Sequence, residues 1–180
     1  MIECWATHIL KENIKDRDYV FELYNWLMQE YDTTEWPSNH TDIDIFGEHI
    51  HPTLEPVHNF ISQQVSQFAR HVFGTDENLR IKGHATNHSS IAMHQHSGAV
   101  ISGVFYVNVP HGNLRLLDPR LNAQRGYPSK FQNYFKPIEL VPEQGDVILF
   151  PSFVWHEVTS FQTQQRVILP FDVYVDNDVH

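Results

Sequence analysis

Apolar positions recur at helical spacing in two early segments and at strand spacing through most of the remaining chain. Tyr19, Val20, Leu23, Trp26 and Leu27 form one stripe, with Asp16 and Asp18 near its start. That pattern predicts an amphipathic helix whose acids favour the positive end of its dipole. Val57, Ile61, Val65, Phe68 and Val72 form a second stripe. Pro56 is tolerated in a first helical turn and Gly74 is a stop signal. Between the two stripes, residues 32–53 carry Thr33, Thr34, Pro37, Ser38, Asn39 and Gly47, a composition that predicts loop.

After Gly74 the period changes. Leu79 to Lys82 alternates as a half-buried strand does. Val100 to Val109 is a strong strand pattern ended by Pro110 and the turn residues His111, Gly112 and Asn113. Leu114 to Leu117 predicts a short strand closed by Asp118-Pro119-Arg120, and residues 121–134 an irregular excursion. Strand patterns return at Phe135–Val141, Val147–Phe150 and Val167–Val175, with Gly145-Asp146 as a turn ahead of the second. Two helices followed by seven or eight strands predict a mainly β fold. Helices would pack on one sheet of a β-sandwich or jelly roll. The 180 residues show no repeat or linker and are read as a single domain, 1–180. Within it, 1–76 is a helical N-terminal part and 77–176 the β core.

Composition narrows the function. Hydrophobic content of 41% supports a packed core rather than disorder. A formal net charge of -10 disfavours nucleic acid and anionic membrane surfaces as partners. The single cysteine, Cys4, excludes an intrachain disulfide and is compatible with a reducing compartment. No signal-peptide pattern opens the chain, and no apolar run approaches the ~20 residues of a membrane span. The expectation is a cytoplasmic protein. Of the 13 histidines, His8, His40, His49, His51 and His180 lie in polar, turn-rich or terminal sequence and predict surface roles.

The remaining chemistry lies in an ordered set. His94-Gln95-His96 precedes one strand pattern, His156 follows another, and Arg166 opens a third. A His-x-His pair on extended backbone puts both rings on one face, because strand side chains alternate. A third imidazole from a neighbouring strand would complete a metal site, and imidazole suits iron. In Arg166 to Val173 one face is Val167, Leu169, Phe171 and Val173. Arg166 and Ile168 share the other face. If the first face packs on the helices, Arg166 points inward and needs an anion; the alternative is a solvated arginine at the strand mouth. Tyr106 shares its face with Ser102 and Val104, where plain core packing is an equal alternative.

His94-Gln95-His96, Ser102-Gly103-Val104-Phe105-Tyr106-Val107, Leu116 to Arg120, Gly145 to Ser152, His156 and Arg166 together resemble the Fe(II)/2-oxoglutarate-dependent oxygenases. Each motif is weak alone and specific in combination and order. The resemblance covers about residues 84–175. It implies a double-stranded β-helix with iron at its mouth, ligated by His94, His96 and His156, and 2-oxoglutarate as cosubstrate. It further implies cosubstrate binding by Arg166, Tyr106 and Ser102, with no catalytic side chain beyond the metal site. The expected activity is that of an iron dioxygenase: oxidative decarboxylation of 2-oxoglutarate to succinate coupled to hydroxylation of a small molecule or peptide.

Two departures stand out. The family's usual motif is His-x-Asp or His-x-Glu, and His96 stands at the carboxylate position, which leaves the site one unit more positive. Ile168 stands where many members carry a hydroxyl residue two after the arginine. Two other readings follow from the same residues: a three-histidine dioxygenase that works without 2-oxoglutarate, and a non-catalytic cupin-like protein that binds a metal or small acid. Outside this set, His84 and His88 either line the mouth or sit in turns. Asp118-Pro119-Arg120 either contacts substrate or closes a turn, and Trp155 either packs the site or sits in a loop.

Overall fold

Three central strands of this chain are hydrophobic at consecutive positions because both of their faces are covered. The computed structural model describes residues 6–30, 45–47, 50–87, 90–110, 112–120, 125–159 and 166–176. Cys4, His40, His49, His88, His111 and His180 lie outside the described residues, as does most of the loop expected over 32–53.

The elements run in the order β1 (Leu10–Asn13), α1 (Arg17–Glu30), α2 (Glu55–Phe73), β2 (Leu79–Gly83), β3 (Ile91–His94), β4 (Ile101–Asn108), β5 (Asn113–Leu116), β6 (Ile138–Leu140), β7 (Asp146–Pro151), β8 (His156–Thr159) and β9 (Val167–Val175). Both helices fall where the stripes predict. The Tyr19 backbone N–H donates to the Asp16 carboxylate, so this acid satisfies an open donor at the start of α1. Gly74, at φ 79°, ends α2 in a left-handed conformation that favours glycine.

The strands form two antiparallel sheets, β1-β7-β4-β9-β2 and β3-β8-β5-β6. The helices cover the outer face of the larger sheet. There Val20, Leu23, Leu27, Val57, Ile61, Val65 and Phe68 join Ile101, Phe105, Val107, Val147, Leu149, Val167, Leu169, Phe171 and Val173 in one core. A second core lies between the sheets, built from Tyr106, Leu114, Leu116, Ile148, Phe150, Val154, Val158 and Ile168. Strands β4, β7 and β9 therefore contribute to both cores, which removes the polar alternation of a one-sided strand.

The structure revises three expectations. Strand β1 joins the β core from the part read as helical, pairing with β7 in the register Leu10↔Leu149 to Asn13↔Asp146. Its sequence, Leu-Lys-Glu-Asn, has little alternation to read, and charged residues suit an edge strand. The strand expected over Phe135–Val141 contracts to Ile138–Leu140, preceded by a 3-10 segment, Ser129–Phe135. Pro137 and Pro142 bracket it, and proline cannot donate to a ladder. Strands β3, Ile-Ala-Met-His, and β8, His-Glu-Val-Thr, are four residues each, too short for a period to show in the sequence. They bring the number of described strands after the helices to eight, within the expected range.

Candidate metal centre

Strands β3 and β8 bring two of the three expected ligands face to face. His94 pairs directly with His156 in the antiparallel register. His96 follows the end of β3, and its backbone N–H donates to the Ser152 carbonyl at 3.2 Å, which brings it back to the same mouth. One nitrogen from each of His94, His96 and His156 lies within 4.8 Å of the others.

The hydrogen bonds identify which nitrogens face the centre. The Nδ1 of His94 is 2.8 Å from the Ala92 carbonyl, and that of His156 is 3.0 Å from the Val154 carbonyl. The Nδ1 of His96 is 2.6 Å from Asp172 Oδ2. Each acceptor fixes the proton on Nδ1 and leaves the Nε2 lone pair for a shared cation. His156 is buried, and burial, reinforced by the neighbouring His94 and His96, pushes its pKa down to about 4 against the opposing Val154 carbonyl. At neutral pH it is therefore a neutral imidazole, the form that ligates.

The three histidines open onto a cavity of about 520 Å³ that also takes in Arg166, Ser102, Val104, Phe150 and Ile168. That volume suits a small ligand. The strand parity read from Arg166 and Ile168 holds: Val167, Leu169, Phe171 and Val173 meet the helices, while Arg166, Ile168 and Pro170 line the cavity. Arg166 is 1% exposed, and burial pushes its pKa down by penalising the charge. Tyr106 is 0% exposed and pairs with Ile168 across β4 and β9. Its hydroxyl has no hydrogen-bond partner among the described residues. Burial raises its pKa, an effect that nearby Arg166 partly opposes, so the group stays a neutral donor.

Ser102 lines the cavity at the histidine end, four residues along β4 from Tyr106. Its hydroxyl donates to Asp172 at 2.7 Å, so the structure ties it to the carboxylate beside His96. Asp172 escaped the sequence reading, although it continues the inward parity of Arg166, Ile168 and Pro170. His84 and Thr86 also line the cavity. Asp118 and Arg120 form their own bidentate pair at 2.9 and 2.6 Å, a closed turn away from that lining. Trp155 is half-buried beside His156, and its carbonyl accepts from the Leu117 N–H.

Two antiparallel sheets with a histidine cluster and a buried arginine in the space between them define a double-stranded β-helix protein with a metal-competent mouth. Residues 83–172 match the family described as "Putative 2OG-Fe(II) oxygenase". The match covers half of the 180 residues, and the chain belongs to this 2OG-Fe(II) oxygenase family.

Among solved structures, a Pseudomonas putida prolyl-4-hydroxylase is similar at 16% identity and a TM-score of 0.66, over 96% of this chain and 95% of that one. A Trichoplax adhaerens prolyl hydroxylase, solved with a hypoxia inducible factor peptide fragment, is similar at 14% identity and 0.60, over 93% and 84%. These likenesses establish the double-stranded β-helix. A Burkholderia pseudomallei oxidoreductase of the 2OG-Fe(II) oxygenase family aligns at 20% identity and a TM-score of 0.48, over 69% of this chain, which spans 57% of its length. No curated protein matches the sequence.

Proposed function

We propose that this chain is a non-haem iron dioxygenase that oxidises 2-oxoglutarate to succinate and hydroxylates a small molecule or peptide. The observation that carries the reading is that one cavity joins three imidazoles to a buried guanidinium. The donor set fits Fe(II): three neutral nitrogen ligands leave positions for cosubstrate and oxygen. Bound there by His94, His96 and His156, the iron would supply the oxygen activation that no side chain of this chain can perform.

The chain's own residues bind and orient. Arg166 offers a planar pair of donors to the distal carboxylate of 2-oxoglutarate, and the anion offsets the cost of a guanidinium held away from water. Tyr106 adds a neutral hydroxyl next to that charge. Val104, Phe150, Val158 and Ile168 line the site with apolar surface, which disfavours water there. The net charge of -10 supports a substrate other than nucleic acid, and the prolyl hydroxylase likeness supports a peptide among the candidates. Single-cysteine usage supports a cytoplasmic setting. Among the described residues no helix is long and apolar enough to cross a membrane.

The test is anaerobic addition of Fe(II) and then 2-oxoglutarate to the metal-free protein. The reading expects a visible metal-to-ligand charge-transfer band at one equivalent of each, and succinate once oxygen is admitted. Iron binding without that band would favour the three-histidine dioxygenase, in which substrate itself chelates the metal.

A further inference from the structure

We propose that Asp172 returns to this site, through His96, the negative charge that the His-x-His motif removes. The inference rests on the iron reading above and concerns only how the third ligand is tuned. Three imidazoles occupy the mouth, and their Nδ1 acceptors differ in kind. His94 and His156 are held by the neutral carbonyls of Ala92 and Val154. His96 alone among the three is held by a carboxylate, Asp172, at 2.6 Å. It is also the residue that stands where a carboxylate ligand is expected.

The arrangement is built into the sheet. Ser102 and Asp172 are direct partners in the β4–β9 register, so their side chains share the inner face. The Ser102 hydroxyl donates to Asp172 Oδ1 at 2.7 Å, which leaves Oδ2 for His96. Ser152 lies 3.0 Å from the same serine oxygen. Each hydroxyl has one proton, so Ser102 gives its own to Asp172 and accepts one from Ser152. Ser152 also holds the His96 backbone through its carbonyl. Asp172 is thereby fixed from one side by Ser102 and aimed at a single imidazole nitrogen.

An imidazole that donates to a carboxylate is a stronger, more anionic ligand than one that donates to a carbonyl. The charge sits one hydrogen bond behind the metal position rather than in contact with it. Asp172 is a positioning residue: it sets the tautomer, orientation and basicity of His96, and touches no reacting atom.

Four proteins test this: wild type, Asp172→Asn, His96→Asp and the double variant. Asparagine keeps the size of Asp172 and an oxygen that can accept from His96, so only the charge is lost. Anaerobic Fe(II) titration should show about 10- to 100-fold weaker binding in Asp172→Asn than in wild type. The charge-transfer band of its 2-oxoglutarate complex should move to higher energy, because the iron is less electron-rich. In the His96→Asp background the carboxylate already contacts the metal, so the same Asp172→Asn change should alter affinity by less than about 3-fold and leave the band in place. An equal loss in both backgrounds would make Asp172 a purely structural residue and overturn the proposal. So would an unchanged affinity and band in Asp172→Asn with the wild type binding both ligands, a result that leaves the oxygenase reading standing. Failure of the wild type to bind iron would end both.

Discussion

His94 and His156 face each other across the antiparallel β3–β8 pair, with ring centroids 4.2 Å apart. Residues distant in sequence are thus set side by side by one ladder, and the site inherits the rigidity of the sheet. Their surroundings differ, however. His156 is 5% exposed, while His94 is half-buried at the mouth.

Replacing either histidine by alanine should abolish stoichiometric Fe(II) binding, and only one replacement should strain the fold. His94→Ala is expected to cost less than about 1 kcal/mol of stability, because its ring is only partly packed at the mouth. His156→Ala removes a packed ring and the partner of the Val154 carbonyl, at a cost of about 1–3 kcal/mol. Metal analysis and urea unfolding of the two metal-free variants check both halves. Full iron occupancy in either would remove it from the ligand set.

The pH dependence of the metal-free protein follows from the same burial. His156 titrates at about 4 in the fold and near 6.5 when unfolded. Its folded pKa is depressed, so the unfolded chain binds the extra proton as pH falls from 6.5 towards 4, and stability is lost over that window. The expected loss from pH 7 to pH 5 is about 2 kcal/mol. Urea melts at the two pH values should show this step in wild type, and a smaller one in His156→Ala. Equal steps would mean that His156 is not the group responsible.

Much of the site could be read from sequence because strand alternation carries it. The parity of Val167, Leu169, Phe171 and Val173 placed Arg166 on the inner face, and the structure puts it in the cavity wall. The same parity reaches Asp172, but the hydrogen bond to His96 depends on Asp172 meeting Ser102 across β4 and β9. That register is a tertiary fact with no local signal. Strand β1 was illegible for a related reason: its place is set by pairing with β7, while its own residues are mostly polar.

Gly103, within the Ser-Gly-Val segment, is required by packing. It pairs with Phe171 on one side and Leu149 on the other, and a Cβ there would run into the Phe171 ring and the Leu149 side chain. Gly103→Ala should destabilise the protein by about 1–3 kcal/mol through overpacking. Ser102 and Val104 flank it on the opposite face, so iron affinity measured below the unfolding range should change little. Thermal unfolding beside an Fe(II) titration separates the two effects. An unchanged Tm would show that Phe171 yields freely.

The opposite end of the cavity separates cosubstrate binding from metal binding. Arg166 lines the cavity at the start of β9, whereas the three imidazoles converge from β3 and β8. Arg166→Ala should therefore weaken 2-oxoglutarate far more than Fe(II). A hydrogen-bonded contact to a charged group is worth roughly 1.5–3 kcal/mol, so cosubstrate affinity should fall by about one to two orders of magnitude. Tyr106→Phe should cost less, because the ring stays packed between the sheets and only a neutral donor is lost. That loss should still be measurable, since the hydroxyl has no other hydrogen-bond partner among the described residues. Calorimetric titration of 2-oxoglutarate into the protein loaded with Fe(II) under anaerobic conditions measures both variants. Wild-type cosubstrate affinity in Arg166→Ala would exclude the guanidinium as the carboxylate clamp and shift the reading to direct chelation of iron by substrate.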